Sequence, residues 1–284
     1  MFETDLLAGK RILVTGGGTG LGAAMARRFA ELGAQLVLCG RRPEPLQATA
    51  EALHEAGCAS VETQTCDLRQ PEAIEALMDA VWAKGPLDVL VNNAAATFVA
   101  RSEQLSARAA EAVLAPTLHG TLYCTLAAGR RWIDARHAGV VLSILSTSTL
   151  TGRAFTMPSA VAKSGVLAMT KSLAVEWGRH GIRLVGIAPG AFPTPGASGQ
   201  LMSAQRGGSG GRDPAARIPL GRVGQHHELA NLASYLVSEQ AGYITGEMVT
   251  IDGGGHLRTS GAEDLLAWTD EDWRAAARAR TASN

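Results

Sequence analysis

Residues 15–22 of the chain read Thr-Gly-Gly-Gly-Thr-Gly-Leu-Gly. This glycine-rich stretch directly follows a short β-forming run, Arg11 to Val14, and precedes an alanine-rich segment that predicts a helix from about Ala23 to Leu32. A strand, a glycine turn and a helix in this order are typical of the first βαβ unit of a dinucleotide-binding fold. The stretch therefore predicts both the start of a sheet and a nucleotide site.

Each glycine of this turn has its own physical reason to be there. Gly16 permits the tight turn, Gly20 lets the backbone approach a pyrophosphate, and Gly22 allows the helix to pack closely on the strand. The phosphates would then face free N–H groups and the positive end of the helix dipole. The residues expected to contact the dinucleotide in this stretch are Gly16, Gly18, Thr19, Gly20, Leu21 and Gly22.

Strand-like and helix-like segments alternate along the rest of the chain. Further strands are predicted at Gln35–Cys39, Val61–Cys66, Leu87–Val91, Gly139–Ile144, Ile182–Ile187 and Met248–Ile251, and the first helices between them at 45–56 and 71–84. Continuous apolar strands separated by helix-length segments favour a parallel sheet covered on both faces. The fold class predicted is α/β, a single-domain Rossmann fold over residues 1–284 with a doubly wound parallel sheet flanked by helices.

Two segments depart from this alternation. Residues 193–215 are rich in glycine and proline, and we interpret them as a mobile substrate loop because they follow a strand end, where such folds bind ligands. A C-terminal extension from about residue 256 carries Trp268 and Trp273 in a charged helical stretch. Its pattern indicates no function.

Composition narrows the class of partner. The 26 basic residues balance the 26 acidic ones, so no global field attracts nucleic acid or a membrane surface. The apolar runs are shorter than the roughly 20 residues of a membrane span, and the N-terminus lacks a signal-peptide pattern. The four cysteines show no Cys-x-x-Cys spacing, which favours reduced, buried thiols, and the seven scattered histidines predict no metal site. We expect a cytoplasmic protein that binds a small-molecule substrate.

The end of the second predicted strand indicates which dinucleotide binds. An acidic residue there would bind the ribose 2′-hydroxyl of NAD, but this chain has Gly40 followed by Arg41 and Arg42. Two guanidinium groups suit a 2′-phosphate. NADP(H) is the predicted cofactor, while two solvated arginines are the alternative.

These motifs resemble those of the short-chain dehydrogenase/reductase family, and the resemblance covers nearly the whole chain. Residues 92–95 look like the Asn-Asn-Ala-Gly turn of the family, and residues 251–254 like its C-terminal signature. The resemblance implies a tetramer packed through helices near residues 105–130 and 160–178. It also implies that Asp67 contacts adenine and that Pro189-Gly190 closes over the nicotinamide. The further cofactor contacts that it implies are Leu68, Asn93, Ala94, Lys163, Ala191 and Phe192.

The predicted catalytic residues depart from the usual family pattern. Members normally carry Tyr-x-x-x-Lys with a serine thirteen residues before the tyrosine; here Lys163 and Ser146 are present, but Ser159 stands in the tyrosine position. A serine hydroxyl is too weakly acidic to replace a lysine-assisted phenol as proton donor. Ordinary carbonyl reduction is therefore disfavoured, and Lys163, Ser159 and Ser146 are the candidate catalytic residues.

One branch of the family, the 2,4-dienoyl-CoA reductases, is similar at this point, since residues 158–163 read Pro-Ser-Ala-Val-Ala-Lys. Their product is protonated on carbon, so an acid directed at an alkoxide is not needed. This resemblance implies acyl-CoA contacts at Arg69, Phe98 and Ser106, with Thr97 in the place of an asparagine that binds the thioester oxygen. Residues that position the proton-donating water correspond here to Ala115, Thr117 and Ser148, while His119 is an alternative donor.

Three functions remain open at this stage. The first is an NADP(H)-dependent reductase of a conjugated enoyl or dienoyl carbonyl compound or thioester. The second is a ketoreductase or alcohol dehydrogenase of another small molecule that uses an unconventional acid. The third is a catalytically degenerate protein that binds NADP(H) without redox chemistry.

Overall fold

The computed structural model describes residues 3–58, 60–194, 214–258 and 261–282. Within these ranges the strands are β1 (Arg11–Thr15), β2 (Gln35–Gly40), β3 (Val61–Thr65), β4 (Val89–Asn92), β5 (Gly139–Ile144), β6 (Ile182–Pro189) and β7 (Met248–Ile251). The helices are α1 (Gly20–Glu31), α2 (Pro43–Glu55), α3 (Pro71–Trp82), α4 (Ala107–Leu114), α5 (Gly120–Ala135), α6 (Ser148–Thr151), α7 (Met157–Trp177), α8 (His226–Val237) and α9 (Asp270–Ala282).

The seven strands form one parallel sheet in the order β3-β2-β1-β4-β5-β6-β7. The chain winds outward from β1 in one direction to β3, then returns and winds outward from β4 to β7. The strand order therefore reverses between β1 and β4, and a crevice opens there at the carboxyl ends of the strands. This is the doubly wound α/β fold that the sequence predicts.

Helices cover both faces of the sheet, and successive strand residues point alternately into the two apolar layers. In β1, Ile12 and Val14 face one apolar layer, which includes Phe29 of α1 and Leu229 of α8. Leu13 faces the other layer, formed by α3, α5 and α7. Every residue of β1 is buried, which explains why its sequence is a continuous apolar run rather than an alternating one.

Some element boundaries differ from the predicted ones. Helix α1 begins at Gly20 rather than near Ala23, so that Gly22 already lies within the helix although glycine is a poor helix former. Strand β4 begins at Val89 rather than Leu87; the Leu87 carbonyl instead accepts a hydrogen bond from the buried Trp132 indole. Neither of these two boundaries can be predicted from the local hydrophobic periodicity of the sequence.

A π-helical turn, Ala115–His119, joins α4 to α5. Pro116 lies at its start and has no N–H to donate, which favours such an interruption of the regular helix. The Thr117 hydroxyl accepts a hydrogen bond from the Ala96 N–H at 3.0 Å. The turn is thereby held against the segment that follows β4, beside the crevice.

Other predicted features are partly visible. None of the helices in the described ranges is long and apolar enough to cross a membrane. All four cysteines are free thiols, but Cys58 is only half-buried, because it lies in the loop after α2. Most of the predicted substrate loop, residues 195–213, lies outside the described residues. In the C-terminal extension the Trp268 and Trp273 rings pack edge to face, 4.9 Å between centroids.

Candidate active site

A cleft of about 530 Å³ lies at the carboxyl ends of the strands, where their order reverses. This volume is within the range of small-molecule and cofactor sites. The predicted residues on its wall are Gly16, Gly18, Thr19, Gly20, Leu21, Arg41, Arg42, Asp67, Leu68, Asn93, Ala94, Thr97, Ser146, Ser159, Lys163, Pro189 and Gly190. Residues that are far apart in sequence are thus brought to one surface.

The glycine turn at one end of the cleft leaves no room for side chains. Gly16 has a φ of +66° and Gly20 a φ of +55°, conformations that L-residues with a Cβ rarely adopt. A Cβ on Gly18 would lie 2.9 Å from the backbone of Pro45 and Leu46. Helix α1 starts here without a side-chain cap or an acidic residue in its first turn. Its first N–H groups are therefore available to an anion.

Gly22 does not line the cleft but lets α1 approach the strand ends. A Cβ at this position would lie 2.2 Å from the Gly16 carbonyl oxygen and 2.6 Å from the Asn93 side-chain nitrogen. Neither contact is sterically allowed, and the Gly16 oxygen is backbone. The packing role predicted for this glycine from the sequence agrees with this geometry.

We expect Gly22→Ala to lower the free energy of unfolding by about 1–3 kcal/mol, because the backbone has to shift to accommodate the methyl group. Gly178→Ala is the matched control, since Gly178 has a helical φ of −54° and no atom within 4 Å of its would-be Cβ. Urea denaturation of the two variants and the wild type measures the difference. Equal stability of the two variants would contradict the prediction.

The Thr15 hydroxyl connects the ends of β1 and β4, a role that the sequence did not reveal. It donates to the Val91 carbonyl at 3.1 Å and accepts from the Asn93 and Ala94 N–H groups at 3.0 and 3.1 Å. The Asn93 side chain in turn donates to the Thr15 carbonyl at 2.9 Å. These bonds hold the two sides of the crevice at a set separation.

Basic and acidic side chains meet at the end of β2 and β3. Arg41 and Arg42 are exposed on the cleft wall, and neither guanidinium has a hydrogen bond or ion pair within the described residues. Asp67 accepts from the Arg69 Nε at 2.9 Å, and this hydrogen bond holds the pKa of the Asp67 carboxyl below its usual value. Asp67 is the one acid among the described residues that line the cleft.

Lys163 lies at the opposite end of the cleft, on the second turn of α7. Its side chain is buried, with the residue only 7% exposed, and burial lowers the pKa of its ammonium to about 8. The Nζ atom donates to the carbonyl oxygen of Ile144, the last residue of β5. This is its one hydrogen bond to the described residues, so two of its three N–H donors remain available.

Three serine hydroxyls surround this lysine end of the cleft. The Ser148 hydroxyl donates to the Ser146 hydroxyl oxygen at 3.0 Å, and the Ser148 N–H reaches the same oxygen at 3.2 Å. Ser159 lies on the first turn of α7, one turn before Lys163. A substrate carbonyl at this end would therefore meet hydroxyl donors and a buried cation. No tyrosine phenol is present among the described residues that line the cleft.

Comparison with known proteins identifies the family of this chain. A family model described as enoyl-(acyl carrier protein) reductase matches residues 16–256, most of the chain. The chain belongs to the short-chain dehydrogenase/reductase family. The family resemblance predicted from the sequence motifs is confirmed, and the protein is an oxidoreductase by family.

Three relatives of this short-chain dehydrogenase/reductase illustrate the range of the family. The chain is 40% identical over 272 residues to an uncharacterized oxidoreductase of Caenorhabditis elegans, and the match covers 94% of this chain and 87% of the relative. It is 37% identical to a probable 2,4-dienoyl-CoA reductase of Bacillus subtilis, covering 86% and 96%. The structure of actinorhodin polyketide ketoreductase with NADPH matches with a TM-score of 0.82 at 31% identity, covering 90% and 99%.

Several residues that the family resemblance assigned to ligands lie away from the cleft wall. Ser106 caps α4, where its hydroxyl accepts from the Ala109 N–H at 3.1 Å, and Arg69 is turned to Asp67. Phe98 is half-buried and lines no described part of the cleft. Ala191 and Phe192 line a separate cavity of about 80 Å³. Their roles as substrate or cofactor contacts stay predictions.

His119, the alternative proton donor, also lies outside the cleft lining. Its Nδ1 is 3.4 Å from the Glu111 carboxylate, and its side chain is 39% exposed. This position is that of a partly solvated helix histidine.

The cleft also contains residues of this short-chain dehydrogenase/reductase that the motifs did not single out. Cys66, Pro116 and Arg153 all line it. Pro116 lies in the π-helical turn. In the sequence this turn is visible only as a proline within a helical pattern. Arg153 could have been noticed as a charged residue on the segment between Ser146 and Ser159.

Proposed function

We propose that this protein is an NADP(H)-dependent reductase of a conjugated carbonyl compound, an enoyl or dienoyl thioester of the kind reduced by 2,4-dienoyl-CoA reductases. The observation that carries the proposal is the composition of the reacting end: the buried Lys163 is retained beside Ser146, Ser148 and Ser159, and the described wall contains no tyrosine. The 37% identity to a probable 2,4-dienoyl-CoA reductase supports the same substrate class.

The lining of the cleft supports a nicotinamide dinucleotide phosphate as the proposed cofactor. The glycine turn excludes side chains, and the uncapped start of α1 offers N–H groups to a pyrophosphate. Arg41 and Arg42 would hold the 2′-phosphate, and Asp67 the adenine. When bound, this cofactor supplies a hydride to the substrate.

Lys163 has two tasks in the proposed reaction. Its available N–H donors would hold the ribose hydroxyls of the cofactor, and its positive charge would stabilise the negative charge that develops on the substrate carbonyl oxygen. Ser146, Ser159 and Thr97 would donate hydrogen bonds to that oxygen. The product is then protonated on carbon through water, which is consistent with a site that has a serine where a phenol usually stands.

Steady-state NADPH oxidation with a panel of 2,4-dienoyl and 2-enoyl thioesters tests this proposal. We expect turnover with at least one dienoyl thioester and none with simple aliphatic ketones. Tight NADPH binding without turnover of any panel member would contradict the proposal and support the degenerate binding protein.

The pH dependence of the reaction follows from the buried lysine. Since the pKa of Lys163 is lowered to about 8, its ammonium is present below that pH and is lost as the pH rises through it. We expect kcat/KM to fall by about tenfold for each pH unit above the pKa. The measurement is the pH profile of kcat/KM for the wild type and for Lys163→Met. If the variant shows the same decrease at high pH, the titration belongs to another group.

A second candidate, a ketoreductase, is favoured by the fold match to a polyketide ketoreductase and by the positions of Ser146 and Lys163 in the cleft. Ser159→Tyr places a phenol one helical turn before Lys163. We expect this change to raise carbonyl reduction by at least about tenfold if the scaffold supports ketone reduction. The measurement is NADPH oxidation with a ketone panel, and Ser159→Phe is the control because it lacks the hydroxyl. Equal rates for both variants would exclude a role of the phenol.

A further inference from the structure

The loop between α6 and α7, residues 152–156, holds an unusual backbone conformation beside the cleft. Gly152 has a φ of +65°, and Phe155 a φ of +64°, which is costly for a residue with a Cβ. The Phe155 carbonyl is held by the Ala100 N–H at 3.0 Å. Such strain persists only where neighbouring contacts determine the conformation, and it is concentrated at functional sites. The loop therefore presents its residues in a defined way.

Arg153 is the charged residue of this loop, and it lines the cleft at the lysine end. Its carbonyl accepts from the Thr156 hydroxyl at 3.4 Å and lies 3.5 Å from the Thr156 nitrogen. Thr156 is only 4% exposed and lines the cleft together with Ser159. These contacts anchor the backbone of Arg153 next to the hydroxyl groups that would face a substrate carbonyl, while its side chain is exposed.

The guanidinium of Arg153 has no hydrogen bond or ion pair within the described residues. Some arginines of the same chain are paired, since Arg222 lies 2.7 Å from Glu228 and Arg131 lies 3.0 Å from Glu75, whereas Arg153 is unpaired like Arg41 and Arg42 at the other end of the cleft. The described cleft wall offers Arg153 no acid at its own end, since Asp67 lies at the other end and is held by Arg69. An unpaired cation on a pocket wall complements an anionic group of a ligand.

We propose that Arg153 binds an anionic group of the substrate, a carboxylate or a phosphate. A guanidinium presents a planar fork of N–H donors that matches both anions, which makes it a residue suited to recognising them in two bonds. The inference rests on the proposed function in one respect, namely that the substrate occupies the lysine end of the cleft. It adds a residue that selects among substrates, beyond the groups that face the reacting carbonyl.

Binding of three saturated, unreactive thioesters tests the proposal by calorimetry, with NADP+ present at saturation so that the Arg41 end is filled. The N-acetylcysteamine thioester of hexanoate is neutral, the mono-thioester of adipate adds a carboxylate, and hexanoyl-CoA adds phosphates. The proteins are the wild type, Arg153→Gln, Arg153→Lys and, as the matched control, Arg278→Gln, which changes an exposed arginine of α9. Thermal melting checks that all four are folded.

We expect the wild type to bind at least one anionic ligand about tenfold tighter than the neutral one, and Arg153→Gln to lose that preference. If Arg153→Gln loses the preference only for the adipate compound, the bound group is a carboxylate. If it loses the preference only for hexanoyl-CoA, the bound group is a phosphate. Arg153→Lys should keep part of the preference, and Arg278→Gln all of it. A wild type without preference, or a preference that survives in Arg153→Gln, overturns the inference. Turnover of the dienoyl thioesters is measured separately, so failure of the proposed function is recognised independently.

Discussion

Replacing Lys163 by methionine is expected to lower kcat/KM for the reduced thioester by about a hundredfold or more. Lys163 is the one lysine on the described cleft wall, and methionine keeps much of its volume while removing the charge and the N–H donors. The loss has two physical sources: the cofactor ribose is no longer held, and the negative charge on the substrate oxygen is no longer stabilised. The effect should therefore appear in kcat as well as in KM.

Lys171→Met is the matched control, because Lys171 lies on the same helix but is exposed and outside the cleft. It should leave both kinetic constants within about twofold of the wild type. Lys163→Arg keeps the positive charge but changes the shape of the side chain. It therefore separates the electrostatic contribution of Lys163 from its contribution to holding the ribose. A wild-type rate in Lys163→Met would remove the basis of the proposed mechanism.

The double substitution of Arg41 and Arg42 by serine is expected to weaken NADPH binding by about ten- to hundredfold, while NADH binding changes little. The two cofactors differ only in the 2′-phosphate, so the difference isolates the contacts of this group. Charge-assisted hydrogen bonds contribute about 1.5–3 kcal/mol each, and exposure of both side chains places the effect toward the lower end.

Titration by nicotinamide fluorescence at two salt concentrations measures this effect. The wild-type preference for NADPH should shrink at high salt, because the arginines are solvent-exposed. Arg278→Gln serves again as an exposed control outside the cleft. Equal weakening of NADPH and NADH in the double variant would show that the arginines support the fold of the turn rather than recognise phosphate.

The features that the sequence could predict are those built from local patterns. The turn at 15–22 needs glycines for its backbone conformations, and Gly16, Gly20 and Gly22 have the conformations or close contacts that this requires. The strands are continuous apolar runs because both faces of a parallel sheet are covered. Fold class and family could therefore be predicted from short-range signals.

Other residues lay beyond such signals. Ser148 reaches Ser146 at the start of a short helix after β5, and Arg153 lines the cleft from a loop in which Phe155 adopts a left-handed conformation. Arg69, predicted as a substrate contact by resemblance, is turned to Asp67, two residues away, and its contact with a substrate stays a prediction. Homotetramer formation, the cytoplasmic location and the predicted substrate loop stay predictions.

The sequence by itself determined the fold, the family and the position of the dinucleotide turn, because glycine geometry and apolar periodicity act over a few residues. Only the tertiary structure decided which charged groups are satisfied by neighbours and which are left to a ligand. Asp67 and Arg69 are paired with each other, whereas Lys163 is buried with unused donors and Arg153 stands unpaired on the described cleft wall. For Lys163 and Arg153 that distinction depends on distances between residues from different strand ends, which come together only when the sheet forms.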